Sequence, residues 1–516
     1  MKKTLFKSTA IVGFLTFISR IAGFIRDMIF ARVFGATIAM EAFLVAFKIP
    51  NFMRRLFAEG SFTQAFVPIL SDYKTKHSHN ELVIFIRSVI GSLGTFLIIL
   101  TAIGMIFSSI VVLIFAPGFA HEPEKLILTS DMLKITFPYI FSIALTALAG
   151  SVMNCFSRFS IPAITPVLLN ITLISFALNS HHFQVPIYSI AWGVFIAGFI
   201  QLLFQIPFLL KLKVSIRPKF GLSHPGVQRL LKLMIPALFG ASVAQISLLL
   251  DTVFASFLPT GSISWLYYSD RLNQFPLGIF GVALSTVILP HLSVHFASKN
   301  NRAYNNSLEW AIKMVFVFAT PAAVALIILS GPLITTLFNY GKFSQYDVLQ
   351  SQKTLIAFSI GLFSFILIKI LVSAFYAQHN MKTPVKIAVF SLVCNMLLNL
   401  ILIIILIPYK EGHVGLAIAT SISAIINASL LFYSLKKQKI YIPNKGWLIF
   451  IIKILTANIT LAVVLFFLKG NIEIWFNSTF IHRLLHILFL TFFGIVIYFI
   501  FLAILGFRKK HLQPDN

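Results

Sequence analysis

The sequence predicts an all-α protein that crosses a membrane about fourteen times, built as two parallel six-helix lobes around a central cavity with two extra helices at the C-terminal end. Three observations predict this. The 516 residues are 58% hydrophobic and only 11% charged, with a mean hydropathy of +0.92, too apolar for a soluble globular chain. Basic residues gather in alternate connections between apolar runs. The chain also resembles itself at a long, constant shift.

Taken in order, apolar spans are expected at residues 8–34, 41–70, 83–115, 129–154, 160–179, 187–210, 227–256, 262–293, 304–337, 349–375, 384–407, 413–435, 446–468 and 482–507. Each is long enough to cross roughly 30 Å of hydrocarbon as a helix. The runs are continuous and do not alternate in ten-residue segments, which favours helices over barrel strands. The first run follows Lys2, Lys3 and Lys7 and is too long for a signal-peptide core, so the first helix is expected to stay in the mature protein. Cys155 and Cys394 lie far apart in sequence and indicate neither a disulfide framework nor a thiol metal site.

A net charge of +26 would point to nucleic acid in a soluble protein, but its placement points elsewhere. One set of connections carries Lys2, Lys3, Lys7, Lys74, Lys76, Arg158, Lys211, Lys213, Arg217, Lys219, Lys299, Arg302, Lys382, Lys386, Lys436, Lys437, Lys439, Lys445, Arg508, Lys509 and Lys510; the other carries Lys125, Lys342, Lys410 and Lys469. The positive-inside rule then puts both termini in the cytoplasm. These short topogenic loops lack the interleaved aromatics of a nucleic-acid surface, so no nucleic-acid partner is expected.

At a shift of about 222 residues, Gly60 to Pro68 falls on Val282 to Pro290, Pro162 on Pro384, and, at 224, Asp27 to Ala31 on Asp251 to Ala255. The shift spans six helices, an even number, so both copies share one orientation and are expected to be related by an axis along the membrane normal. The expected division is residues 1–220 for the first lobe, 221–445 for the second, and 446–516 for the last two helices and a tail.

Charges inside the apolar runs mark a site, because an arginine near the bilayer centre costs roughly 2.5–3.5 kcal/mol on insertion scales and needs a wet cavity or a charged ligand. The first span carries Arg20, Arg26, Asp27 and Arg32. At about 1.5 Å per residue, Arg20 lies about 18 Å into its run, near the midplane. Arg20 and Arg26 point about 120° apart on a straight helix, unless a bend at Gly23 brings both onto the cavity. Alternatively, Arg26 is neutralised by Asp27 or by another helix. The second span holds Glu41, Lys48, Arg54, Arg55 and Glu59 around Pro50, with 41, 48 and 55 forming one polar stripe. Arg54, Arg55 and Glu59 fit a structural ion-pair cluster as well as a ligand role. Asp270 and Arg271 stand in the eighth span. A strongly cationic cavity suits a bulky anionic substrate, since arginine pairs bidentately with phosphate oxygens.

These residues carry a family resemblance. Ile18 to Asp27, reading Ile-Ser-Arg-Ile-Ala-Gly-Phe-Ile-Arg-Asp, together with Phe43 to Pro68 and the Tyr-Tyr-Ser-Asp-Arg of Tyr267 to Arg271, resemble the MurJ (MviN) lipid II flippases. The likeness runs over essentially the whole chain, including Gly331-Pro332 and the Lys-Thr-Pro of Lys382 to Pro384. It implies a fourteen-helix member of the multidrug/oligosaccharidyl-lipid/polysaccharide exporter superfamily. It also implies a flippase that carries undecaprenyl-pyrophosphate-linked disaccharide pentapeptide across the inner membrane by alternating access, driven by membrane potential or an ion gradient. On it, Arg20, Arg26 and Arg271 are cavity arginines, and Lys48, Arg54 and Glu59 are further polar positions. Glu41 stands where the family usually has aspartate. The last two helices correspond to a groove for the polyprenyl tail. The implied partners are lipid II, membrane lipids and other cell-wall synthesis proteins, around a functional monomer.

Asp251, Asn395, Asn399 and Thr420 offer a carboxylate, two amide carbonyls and a hydroxyl inside apolar spans, the oxygen donors a sodium ion takes. Some members of the resembled family are thought to hold sodium at matching positions. Equally, Asp251 is protonated or paired and the asparagines bond between helices. No GxxxxGK[ST] motif is present, which argues against direct nucleotide drive. Two other readings compete. A related exporter of another lipid-linked saccharide shares the cationic cavity. A membrane glycosyltransferase needs a catalytic set in outer loops, where Glu122, Glu124, His181, His182, Asp347, Glu411 and Glu473 show no chemical spacing and read as solvated residues.

Overall fold

The computed structural model describes residues 2–55, 62–214 and 217–507, leaving aside the side chains of residues 2–10, 64 and 236–248. The chain divides into two compact units, Met1–Thr260 and Gly261–Asn516.

The first unit contains α1 (Lys2–Phe34), α2 (Ile38–Arg54), α3 (Phe62–Lys76), α4 (His79–Ile106), α5 (Ser108–Phe115), α6 (Pro123–Thr136), α7 (Tyr139–Cys155), α8 (Ser160–Leu178), α9 (Tyr188–Lys211) and α10 (Pro225–Ala255). The second contains α11 (Ser262–Pro276), α12 (Val282–Ala297), α13 (Asn301–Ile328), α14 (Ser330–Phe338), α15 (Gln345–Ala377), α16 (Lys382–Leu406), α17 (Gly412–Lys437), α18 (Trp447–Lys469), α19 (Ile472–Asn477) and α20 (Phe480–Ile504).

Eleven helical stretches among the described residues are long and apolar enough to span a membrane, and they coincide with eleven of the fourteen expected spans. The other three correspond to α1, to α2 with α3, and to α10. α1 and α10 are helical over 33 and 31 residues, while residues 56–61 between α2 and α3 lie outside the description.

The repeat is written into helix boundaries. α4 runs His79–Ile106 and breaks at Phe107, and α13 runs Asn301–Ile328 and breaks at Leu329, so start, end and break all recur at a shift of 222 residues. α8 and α16 begin at the same shift, at Ser160 and Lys382. Local chemistry sets several starts. Ser78 with Glu81, and Ser344 with Asp347, form capping boxes that satisfy the first N–H groups of α4 and α15. Thr37 caps α2 by accepting from the Met40 N–H.

In the first unit Phe66, Phe85, Val152 and Leu209 join α3, α4, α7 and α9 in one core. In the second, Leu308, Ile312, Leu362, Ile366 and Leu431 join α13, α15 and α17. Met314, Leu461 and Leu490 seat α18 and α20 on α13. α15 and α17 approach closely at Gly361, where a Cβ would stand 2.8 Å from the Ser421 backbone, and Ser421 Oγ donates to the Ala357 carbonyl across that approach at 2.6 Å.

Candidate functional site: charges within the apolar helices

α1 is helical without interruption through Gly23, so the two arginines stay on different faces. Arg20 is exposed and Arg26 is buried. The missing side chain of Gly23 leaves room for Asn170, whose Nδ2 lies 3.6 Å from where a Cβ would stand. Arg26 donates through Nε and Nη2 to Asp27 Oδ1 at 3.0 and 2.7 Å, and through Nη1 to Asn170 Oδ1 at 3.0 Å. Asn170 Nδ2 in turn donates to the Ser19 carbonyl at 3.2 Å. The Arg26 charge is therefore compensated locally, and the same network fastens α1 to α8. Of the two alternatives open in the sequence, neutralisation by Asp27 describes this arrangement.

Along the α2 stripe burial decreases. Glu41, in the first turn, is 1% exposed. It meets Lys125 Nζ at 2.7 Å, and that side chain is itself 1% exposed. Glu122 lies 3.7 Å from the same ammonium and the Phe119 ring faces it at 4.5 Å. Lys48 is half-buried and Arg55 exposed. Arg54, the last residue of α2, donates through Nε to Asn51 Oδ1 at 3.2 Å. Glu59 lies outside the described residues.

The Glu41–Lys125 pair is not among the sequence expectations. Loop charge alone groups Lys125 with the sparse outer-loop lysines, yet it sits in the first turn of α6 against α2. A signal is present in the sequence: Lys125 is the one lysine or arginine in the sparsely charged set of connections of the first lobe, and an intramembrane carboxylate needs a cation.

In the second unit Arg271 on α11 is half-buried with its guanidinium 5.5 Å from the Tyr267 ring centroid, and Gln274 donates to Asp270. Arg483 on α20 is a buried charge that the sequence reading does not single out. It donates to the carbonyls of Thr335 and Asn339 at 3.3 and 3.4 Å and of Phe476 at 2.8 Å, which caps the C-terminal carbonyls of α14 with a cation. Glu309 is buried beside Lys313 at 2.7 Å and accepts from the Asn444 N–H at 2.9 Å.

One expectation is corrected here. Asp347 is no solvated loop residue: at 9% exposed it closes the α15 capping box and accepts from Trp265 Nε1 at 2.8 Å. Glu411 pairs with Lys353.

Of the four oxygen donors expected to suit sodium, Asn395 and Asn399 are brought together on α16, with Asn399 Nδ2 donating to Asn395 Oδ1 at 3.3 Å. Thr420 lies on α17, which packs along α16, and donates to the Leu416 carbonyl at 2.9 Å. Asp251 lies on α10 in the first unit. The Asn395 carbonyl and the Thr420 hydroxyl each keep a lone pair, the kind of oxygen donor a hard cation takes.

Beyond the apolar runs, one end of the first unit carries a second charged cluster. Asp72 accepts from Arg229 at 2.9 Å and pairs with Lys76 at 2.7 Å, and these partners, Lys76 first, hold its carboxyl below the usual range. His224 caps α10, its Nδ1 accepting from the Gly226 N–H at 3.1 Å. Burial, and secondarily Lys219, push its pKa down.

An all-helical chain of apolar spans with arginines and carboxylates set inside them is a multi-pass membrane transporter. Residues 30–504 match the family model described as lipid II flippase MurJ. The chain is 41% identical over 513 residues to the probable lipid II flippase MurJ of Buchnera aphidicola subsp. Acyrthosiphon pisum, covering 99% of each. It is 40% identical to the lipid II flippase MurJ of Burkholderia cenocepacia, covering 91% of each. A solved lipid II flippase MurJ in an inward closed conformation superposes with a TM-score of 0.79 at 31% identity, over 96% of this chain and 98% of that one. An inward-facing multidrug transporter of the MATE family shares the fold at 13% identity, with a TM-score of 0.67 over 82% of this chain and 95% of that one. The chain belongs to the MurJ family of lipid II flippases, a family of transporters and not of enzymes.

Proposed function

We propose that this protein carries lipid II, the undecaprenyl-pyrophosphate-linked disaccharide pentapeptide, from the cytoplasmic to the outer leaflet of the bacterial inner membrane for peptidoglycan synthesis. The observation that carries the reading is membership of the family over nearly the whole chain, on a helix whose Arg20 is exposed deep in an apolar run. A pyrophosphate and a sugar-peptide head cannot cross hydrocarbon alone, whereas the polyprenyl tail can remain in lipid. On this reading Arg20 and Arg271 engage the pyrophosphate, and Arg26, held by Asp27 and Asn170, seats α1 on α8. Lys48, Arg54 and Glu59 extend the polar lining. Glu41 supports α2 through Lys125.

Both termini are assigned to the cytoplasm from the loop charges, and the working unit is a monomer. Sodium is assigned to Asn395, Asn399 and Thr420 with Asp251, where it would neutralise the carboxylate and favour one arrangement of the transport cycle. The deciding experiment depletes the protein in cells and follows lipid II with an externally added probe. Precursor should accumulate on the inner face and lysis should follow; probe labelling at the undepleted rate would refute the assignment.

A further inference from the structure

α11, α15 and α17 run parallel, as their cross-helix bonds show. Trp265 reaches Asp347, and Ser269 Oγ reaches the Ser351 carbonyl one turn further along both helices. The Trp265 ring also lies 4.8 Å from that of His413. The N-terminal turns of the three helices therefore stand side by side. Gly261, at φ 104°, turns the chain into α11; a side chain there would stand 2.3 Å from the Trp265 ring.

Within this seam both oxygens of the Asp347 carboxylate are engaged, by Trp265 and by the Ser344 N–H and hydroxyl. Four other polar atoms are not. Ser262 Oγ, on the Trp265 face of α11, Gln350 Oε1, Ser351 Oγ and one ring nitrogen of His413 are buried without a hydrogen bond within the protein. Ser351 and His413 are 0% exposed. The Gln350 carbonyl, which also accepts from the Thr354 hydroxyl at 3.0 Å, serves the other imidazole nitrogen. Native interiors leave few such groups orphaned, and four in one seam call for a ligand.

We infer that this seam is a solvent site that holds ordered water between α11, α15 and α17 against His413. The donor set selects the ligand. Three helix N-termini disfavour a cation and the Asp347 carboxylate disfavours an anion. Hydroxyls that donate and accept, an amide oxygen that accepts, and an imidazole nitrogen that accepts match water, which makes about three hydrogen bonds when buried. At the rim the Lys353–Glu411 pair closes the seam. The consequence is mechanical. Deeper in the unit α15 and α17 interlock at Gly361 and Ser421, whereas their N-terminal turns rest on exchangeable bonds to solvent, so these ends part more readily than the middle.

Radiolytic hydroxyl labelling read by mass spectrometry tests this on the purified full-length protein, because radicals formed from bound water oxidise the side chains beside it. Trp265 and Trp475 are matched in burial, at 3% and 2% exposed. Trp475 lies in an apolar cluster with its Nε1 on the Lys469 carbonyl. Trp265 should be oxidised several-fold faster than Trp475; equal rates would overturn the site. The double variant Ser262→Ala, Ser351→Ala removes two water-holding groups at nearly constant shape, and His413→Phe fills the seam. Each should bring Trp265 down towards the Trp475 rate. Fast labelling that persists in both would mean that the helices simply open to bulk solvent, which also overturns the inference.

Discussion

Glu41 and Lys125 show how much one buried pair decides. Desolvating both charges is costly, so the pair adds little over two apolar groups of the same shape, but removing one partner strands the other. Lys125→Ala is therefore expected to cost about 3–5 kcal/mol and to lower the thermal midpoint of the purified protein clearly. The double variant Glu41→Gln, Lys125→Met should lie closer to the natural protein than either single change. A double variant no more stable than Lys125→Ala would show that the pair is not what holds α2 to α6. At this scale the sequence is only partly readable. Arg26 and Asp27 are neighbours, so their pairing is visible in the sequence as one of two alternatives. Glu41 and Lys125 lie on different helices, and which helices touch is a tertiary fact that hydropathy does not encode. Asp347 misleads for a related reason: Ser344 and Asp347 have capping-box spacing, but Trp265, which draws that carboxylate inward, belongs to a distant helix.

At the scale of elements, hydrophobic runs locate the helices well because each must cover the same thickness of hydrocarbon. The break between α4 and α5, and its twin between α13 and α14, is marked in the sequence only by Ser108-Ser109 and by Ser330-Gly331-Pro332, short interruptions that the surrounding apolar run hides from hydropathy. Two expectations belong here. The start of α10 depends on neutral His224, whose imidazole accepts from Gly226 beside Tyr73 and Phe85. Its pKa lies below the ordinary 6.5, so its contribution is complete above that value and is lost as pH falls through it towards the lowered one. Asp72 titrates below the usual carboxylate range and stays ionised throughout. Hydrogen-exchange protection at the first turn of α10, taken relative to the intrinsic amide rate at each pH, should fall as pH drops below the ordinary imidazole value of 6.5. His224→Asn, which keeps a capping oxygen, should remove most of that dependence; identical pH profiles would exclude His224 as the cause. The second expectation concerns α16 and α17. Sodium should raise the thermal midpoint over potassium at equal ionic strength, and Asp251→Ala should abolish the difference. No difference between the ions, or one that survives the substitution, rejects the sodium reading.

For the whole molecule the sequence is most informative, since the apolar composition, the alternating loop charges and the repeat are properties of the chain at large. The same scale sets the energetics of transport. With an inside-negative potential, outward movement of an anionic head is favoured, and so is the inward return of an empty cationic site, at about 2.3 kcal/mol per charge per 100 mV. Arg20 supplies such a charge from an exposed position deep in α1, and a guanidinium can grip a pyrophosphate in two places where an ammonium acts as a point. Arg20→Ala should therefore abolish complementation at normal membrane abundance, while Arg20→Lys, which keeps the charge but loses the fork, should restore growth only in part. If potential is the drive, valinomycin with high external potassium should stop lipid II from reaching an outer-face probe, and nigericin, which dissipates the proton gradient without collapsing the potential, should not. Arrest by nigericin alone would transfer the drive to protons. Full growth of Arg20→Ala as the sole copy would remove this arginine from the substrate path altogether.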